Sequence, residues 1–198
     1  MTNQRPTLQL ASTSPRRREI LATLGLEFSI VRVDVDEALL PGESPGAMVV
    51  RLALAKAEAA DAGPADIVIA ADTAVVADEH VLGKPVDQDD CLAMLELLSG
   101  RSHQVLTGVA VHSAQGTRTT LSTTDVYFRE IDRDEALAYW QSGEPHDKAG
   151  AYAIQGIGGA FVERIEGSYS GVVGLPVFET MALLEQAGHS LIAKRQEQ

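Results

Sequence analysis

The five residues Ile67-Val68-Ile69-Ala70-Ala71 constrain the fold more than any other segment of this 198-residue chain. They are continuously apolar, rich in β-branched side chains and bounded by turn signals, which predicts a strand covered on both faces. Such a strand needs helices above and below it, so the chain is expected to be an α/β protein built on a sheet. The run ends at Asp72-Thr73, and charge at the carboxyl end of a buried strand stands where open α/β sheets bind ligands. A carboxylate there suits metal binding or proton removal from water, while an N-cap or turn acceptor explains it without function.

The flanking pattern supports layers. Residues 8–11 read as a short strand, after which Ser14-Pro15 supplies the N-cap and first turn of a helix carrying Ile20, Leu21 and Leu24 inward, closed by Gly25. A second strand is predicted over 28–35, ending at Asp36-Glu37, and Ser44-Pro45 opens a helix reaching about Ala62. Beyond Thr73, a further strand through Val75 and Val76 turns at Asp78-Glu79 toward Gly83-Lys84-Pro85, and 91–98 is helical. The second half alternates along 105–111, turns near 113–116 and returns over 119–128, an antiparallel pair. Asp132 with Glu135 resembles a capping box; strands are expected over 151–154, 161–165 and 171–173, and Pro176 starts a last helix. The reading is a mixed sheet with flanking helices, in one domain spanning 1–198, with no repeat or linker to divide it.

Sixteen basic against 28 acidic residues give a net charge of -12, which opposes non-specific binding to nucleic acid or an anionic membrane. No partner of either kind is expected. The first residues hold no signal-like apolar stretch and no window is long enough to span a membrane, so the cytoplasm is the expected compartment. Cys91 has no partner cysteine and reads as a small core residue, and the five histidines show no metal-ligand spacing.

Within this acidic chain a few residues stand out. Arg16, Arg17 and Arg18 crowd the first turn of a helix, where free N–H groups already favour an anion; a solvated basic patch is the plain alternative. Lys56 falls on the apolar face with Val49, Leu52, Ala53 and Ala60, which calls for either a snorkelling stem or a function. Asp36 and Glu37 offer adjacent oxygens suited to a hard cation, although most acidic pairs are simply solvated. Lys84 sits in a Gly-Lys-Pro turn that is no Walker loop, and Gln155-Gly156-Ile157-Gly158-Gly159 is a weak ligand-contact signal that a hairpin also explains.

Leu10-Ala11-Ser12-Thr13-Ser14-Pro15-Arg16-Arg17 resembles the N-terminal signature of the Maf nucleotide pyrophosphatases. Ala71-Asp72-Thr73, Gly83-Lys84-Pro85, Leu98-Ser99-Gly100, Thr107-Gly108-Val109, Ala149-Gly150-Ala151-Tyr152 and Gly171-Val172-Val173-Gly174-Leu175-Pro176 follow in that family's order. The resemblance implies a fold like the inosine triphosphate pyrophosphatases, with two lobes around a nucleotide cleft, and cleavage of a nucleoside triphosphate assisted by Mg²⁺ or Mn²⁺, with Co²⁺ also open. By the same resemblance Asp72 is the proton acceptor, Glu37 and Asp72 the metal residues, and Lys56 and Lys84 phosphate-contacting catalytic lysines. Ser12, Ser14, Arg16, Arg17, Thr73 and Gln155 would bind substrate, with Arg16, Thr73 and Gln155 at positions tied to base selection.

The segment from Gly143 to Gly156 looks like the branch acting on dTTP and UTP. Thr13, Ala153 and Ser170 depart mildly from the family pattern. A 7-methyl-GTP enzyme and a nucleotide-binding regulator of cell division with little turnover are the alternatives, and a homodimer is the assembly the resemblance implies.

Overall fold

The computed structural model describes residues 7–190, so the reading of residues 1–6 lies outside it. Chain order is β1 (Leu8–Leu10), α1 (Pro15–Thr23), β2 (Ser29–Ile30), α2 (Pro45–Glu58), β3 (Ile67–Ala77) and β4 (His80–Leu82). Next come α3 (Gln88–Leu98), β5 (Ser102–Ser113), β6 (Gly116–Phe128) and α4 (Arg133–Gln141). Three short 3-10 turns, at Glu144–Asp147, Ala149–Ala151 and Ile157–Phe161, precede β7 (Val162–Glu166), α5 (Tyr169–Val173) and α6 (Val177–Gln186).

The strands make one mixed sheet in the order β2-β1-β3-β5-β6-β7, with β4 on β3. β1 runs parallel to β2 and β3, while β4 returns antiparallel on β3 through Asp78 and Glu79, both at positive φ. Two consecutive positive φ values match the twist a two-residue hairpin requires. Helix starts follow local chemistry: Ser44, Asp87 and Asp132 each accept a hydrogen bond from the N–H three residues on. The capping box at Asp132 is half formed, since the Glu135 carboxylate turns to Arg129 instead.

The chain divides into two compact units, and the division falls inside β3 between Asp72 and Thr73. The first unit comprises Met1–Asp72, Thr107–Ser122 and Gly174–Gln198. Its part of β3 packs one face (Ile67, Ile69, Ala71) on Leu21 of α1 and Leu183 and Leu184 of α6. The other face (Val68, Ala70) meets Ala53 and Ala57 of α2. That alanine layer lets α2 lie close to the sheet. Gly108 on β5 extends the close approach, because a Cβ there would fall 2.5 Å from the Val49 carbonyl carbon and 2.7 Å from the Val50 nitrogen.

The second unit, Thr73–Leu106 and Thr123–Val173, has its own core around Leu95, Leu98, Val126, Phe128, Tyr139 and Phe161. Cys91 is buried in it, as expected, and burial pushes its thiol up to about 11. His103 is also buried there, its Nε2 2.9 Å from the Tyr152 hydroxyl.

Several expected elements differ. β3 is one 11-residue strand, so Asp72 lies at its middle and not at its end; the apolar run resumes at Ala74 and the pairing simply continues. Of the predicted 28–35 strand only Ser29–Ile30 is a strand; one further bond runs from the Val31 N–H to the Leu10 carbonyl at 3.0 Å, and residues 32–35 alternate exposed and half-buried without a ladder. α2 stops at Glu58, short of Ala62. The expected strand at 151–154 is a tight turn, with Gly150 and Ala151 both at positive φ, which a ladder does not admit. Residues 171–173 are helical because Ser168 receives the Gly171 and Val172 N–H groups. Gly158-Gly159 belong to a 3-10 turn rather than a hairpin.

Candidate functional site

Strand parity decides which face of the sheet carries Asp72. Successive side chains alternate faces, so Asp72 shares the face of Val68 and Ala70, the one α2 covers. Along β3 only Asp72 and Thr73 escape full burial. Lys56, one turn beyond Ala53 on α2, donates from Nζ to Asp72 Oδ1 at 2.7 Å and lies 2.6 Å from Glu37 Oε1. Its side chain is 12% exposed and that of Asp72 14%, against 63% for Glu37. Snorkelling therefore does not describe Lys56: its ammonium ends on two carboxylates, leaving one excess negative charge.

Glu37 reaches this point from an unpaired segment that other residues hold. Val33 packs on the alanine layer, Asp36 accepts from the Ala38 N–H at 2.9 Å, and Arg51 of α2 donates to the Ala38 carbonyl at 3.0 Å. Arg51 also grips Glu43 with two bonds, and this pairing lowers the Glu43 carboxyl below its ordinary range. The sequence carries no signal for the Glu43–Arg51 pair: a spacing of eight marks two helical turns only if both residues lie on one helix, and Glu43 precedes α2.

At the end of β1, Ser12 Oγ accepts from the Ser14 N–H at 3.2 Å and from Arg17 at 3.1 Å. Arg17 Nε donates to the Gly174 carbonyl at 2.9 Å, and burial, partly offset by Asp72 and Glu37, lowers its pKa below the ordinary guanidinium value. Arg17 thus ties the Ser12–Ser14 loop to the residue preceding Leu175. Ser14 stands at the N-cap of α1 and Arg16, half-buried, lies in its first turn.

Thr73, Lys84 and Gln155 belong to the second unit. Thr73 is half-buried on β3. Lys84 is exposed between β4 and α3, in a loop whose Gly83 carbonyl accepts from the Gly150 N–H at 3.0 Å. Gln155 is exposed beside the turn at Ile157–Phe161. In that region the Glu144 carboxylate accepts from the Tyr139 hydroxyl and from the Ile157 and Gly158 N–H groups. Burial pushes the Glu144 carboxyl up, but those bonds outweigh it and hold it below its ordinary value.

The two carboxylates at Lys56 aim at one point, and hard cations such as Mg²⁺ take oxygen ligands, commonly one or two carboxylates with substrate phosphates and water. Among the described residues no three acidic, histidine or cysteine side chains cluster as a metal cage. The donor set fits a cation shared with a phosphate. The family model for Maf-like proteins matches residues 7–187.

The chain belongs to the Maf family.

Similarity within the Maf family extends over nearly the whole chain. A dTTP/UTP pyrophosphatase of Hahella chejuensis is 54% identical over 185 residues, covering 91% of this chain and 92% of the relative. The dTTP/UTP pyrophosphatases of Vibrio parahaemolyticus and Anaeromyxobacter dehalogenans are 52% and 54% identical, over 90% and 94% of this chain and 96% of each relative. A solved nucleoside-triphosphatase / dITP/XTP pyrophosphatase of Mycobacterium abscessus aligns at 16% identity and a TM-score of 0.40, over 63% of this chain and 75% of its own. No helix among the described residues is long and apolar enough to cross a membrane.

Proposed function

We propose that this chain is a nucleoside triphosphate pyrophosphatase that hydrolyses dTTP and UTP to the nucleoside monophosphate and pyrophosphate. The observation that carries the reading is the Asp72–Lys56–Glu37 cluster, a carboxylate and a lysine withdrawn from solvent beside a second carboxylate. The relatives named dTTP/UTP pyrophosphatase support the substrate, their likeness covering nine-tenths or more of the chain.

Asp72 accepts the proton of the water whose oxygen forms the new bond to the α-phosphorus, as the α–β anhydride bond breaks and pyrophosphate departs. Lys56, whose ammonium ends at Asp72 and Glu37, offsets phosphate charge developing on the leaving group, with Lys84 and Arg16 in the same role. Ser12 and Ser14 present the loop at the α1 N-terminus to phosphate, and Arg17 holds that loop through Ser12. Thr73 and Gln155 select the base together with Arg16. Glu37 and Asp72 would hold a divalent cation, Mg²⁺ or Mn²⁺ with Co²⁺ a further candidate, which supplies neutralisation of phosphate charge when bound. Residues 1–198 act as a single catalytic domain, in the cytoplasm and as a homodimer.

Pyrophosphate release from dTTP, UTP, CTP, GTP, ATP and 7-methyl-GTP, with Mg²⁺ or Mn²⁺, tests this. The expected outcome is preference for dTTP and UTP, with turnover lost in Asp72→Asn and nucleotide binding retained. Intact turnover in that variant removes Asp72 as base. Silence on every nucleotide puts a nucleotide-binding regulator in the enzyme's place.

A further inference from the structure

Gln155 is exposed, yet the backbone on both sides of it is tied to the interior by one two-residue device. Two residues before it, the Ala153 N–H donates to the Tyr139 hydroxyl at 3.2 Å. That hydroxyl donates onward to Glu144 Oε1 at 2.7 Å. Just after it, the Ile157 and Gly158 N–H groups each donate to the same carboxylate at 2.9 Å. The Tyr139 ring is 3% exposed and packs edge-on against Phe161, so the hydroxyl is delivered from a rigid core position on α4.

The glycines around Gln155 make the approach possible. A Cβ at Gly156 would collide with the Glu144 carboxylate, one at Gly158 would lie 2.6 Å from the Tyr139 hydroxyl, and one at Gly159 2.5 Å from the Ile154 carbonyl oxygen. The loop is therefore drawn onto Glu144 and Tyr139 as closely as backbone allows. A glutamine amide has one donor and one acceptor edge, and uracil and thymine offer an N3–H beside O4 where cytosine offers N3 beside an amine. Such a reader discriminates only as well as its backbone is held in place.

We infer that Tyr139 and Glu144 are positioning residues for nucleobase selection, fixing the loop that presents Gln155; this rests on the reading of Gln155 as a base contact. Neither residue touches substrate. They set the geometry of one that does, so their loss moves base preference and KM rather than the chemical step.

The test measures kcat and KM with UTP, dTTP and CTP for the wild type, Gln155→Ala, Glu144→Ala, Glu144→Gln, Tyr139→Phe and the Glu144→Ala/Gln155→Ala double variant. Glu144→Ala is expected to raise KM for UTP and dTTP about tenfold with kcat within about threefold, and to lower the UTP over CTP preference to that of Gln155→Ala. The double variant should be no worse than Gln155→Ala alone, the non-additivity of residues acting through one another. Glu144→Gln keeps a carbonyl acceptor for the loop and should restore part of the preference. Tyr139→Phe removes one hydroxyl from an otherwise unchanged ring, moves the preference in the same direction by less, and decides the matter if Glu144→Ala does not fold. Preference unchanged in Glu144→Ala and Tyr139→Phe but lost in Gln155→Ala overturns the inference and leaves the Gln155 reading standing. Preference kept in Gln155→Ala overturns both.

Discussion

Replacing Lys56 by methionine separates what the ammonium does for folding from the role in turnover proposed for it. Methionine keeps a flexible unbranched stem over the α2 face and removes only the charge and its donors. Asp72, 14% exposed, then keeps a carboxylate facing a largely covered layer without the ammonium that donated to it at 2.7 Å and with Arg17 as a remaining positive charge, whereas Glu37, 63% exposed, regains water at little cost. Losing the partner of a hydrogen-bonded, mostly buried charge costs about 1–3 kcal/mol, below the 3–5 of a fully buried pair because some water reaches Asp72. Removing both partners is close to neutral, so Lys56→Met/Asp72→Asn should regain most of the stability lost in Lys56→Met. Activity should behave differently: a cation placed against phosphate charge contributes about 10²–10³-fold, and the double variant stays inactive. Urea denaturation and pyrophosphate release on the wild type, Lys56→Met, Asp72→Asn and the double variant read the two effects separately. A double variant no more stable than Lys56→Met would refute the claim that the Lys56–Asp72 pair carries the cost.

Two further outcomes follow from single residues. Burial pushes the His103 imidazole down from 6.5 to about 4, so the unfolded chain binds the extra proton between those values; its contribution is present above pH 6.5 and lost as pH falls toward 4, about 3 kcal/mol in all, and the loss of urea midpoint between pH 7 and pH 4.5 should be smaller in His103→Gln. Gly108→Ala should destabilise by about 1–3 kcal/mol, because the added methyl meets the α2 backbone at Val49 and Val50 rather than a side chain that can rotate away; an unchanged urea midpoint would show that α2 can shift freely.

Much of the candidate site was legible because the signals for its residues are local in sequence. The continuous run at 67–71, the Pro at the start of α1 and α2, and a lysine out of place on an apolar face each carry a physical signal that survives without coordinates. The errors lie where neighbours decide. Residues 32–35 have the alternation of a strand, but alternation only describes which side is covered, and no ladder forms there. Residues 151–154 and 171–173 are apolar enough for strands, yet positive φ values at 150–151 and the Ser168 side chain turn them into tight and helical structure.

The sequence by itself determined the class of fold, the family and the set of polar groups on offer, because side-chain periodicity and residue chemistry are properties of the chain alone. The tertiary structure decided which of those groups meet. Parity along an uninterrupted β3 turns Asp72 to the α2 side, the alanine layer brings α2 close enough for Lys56 to reach it, and the segment held by Arg51 delivers Glu37 from nearly twenty residues away. Each of those contacts depends on distances between segments far apart in the chain, which no local pattern encodes.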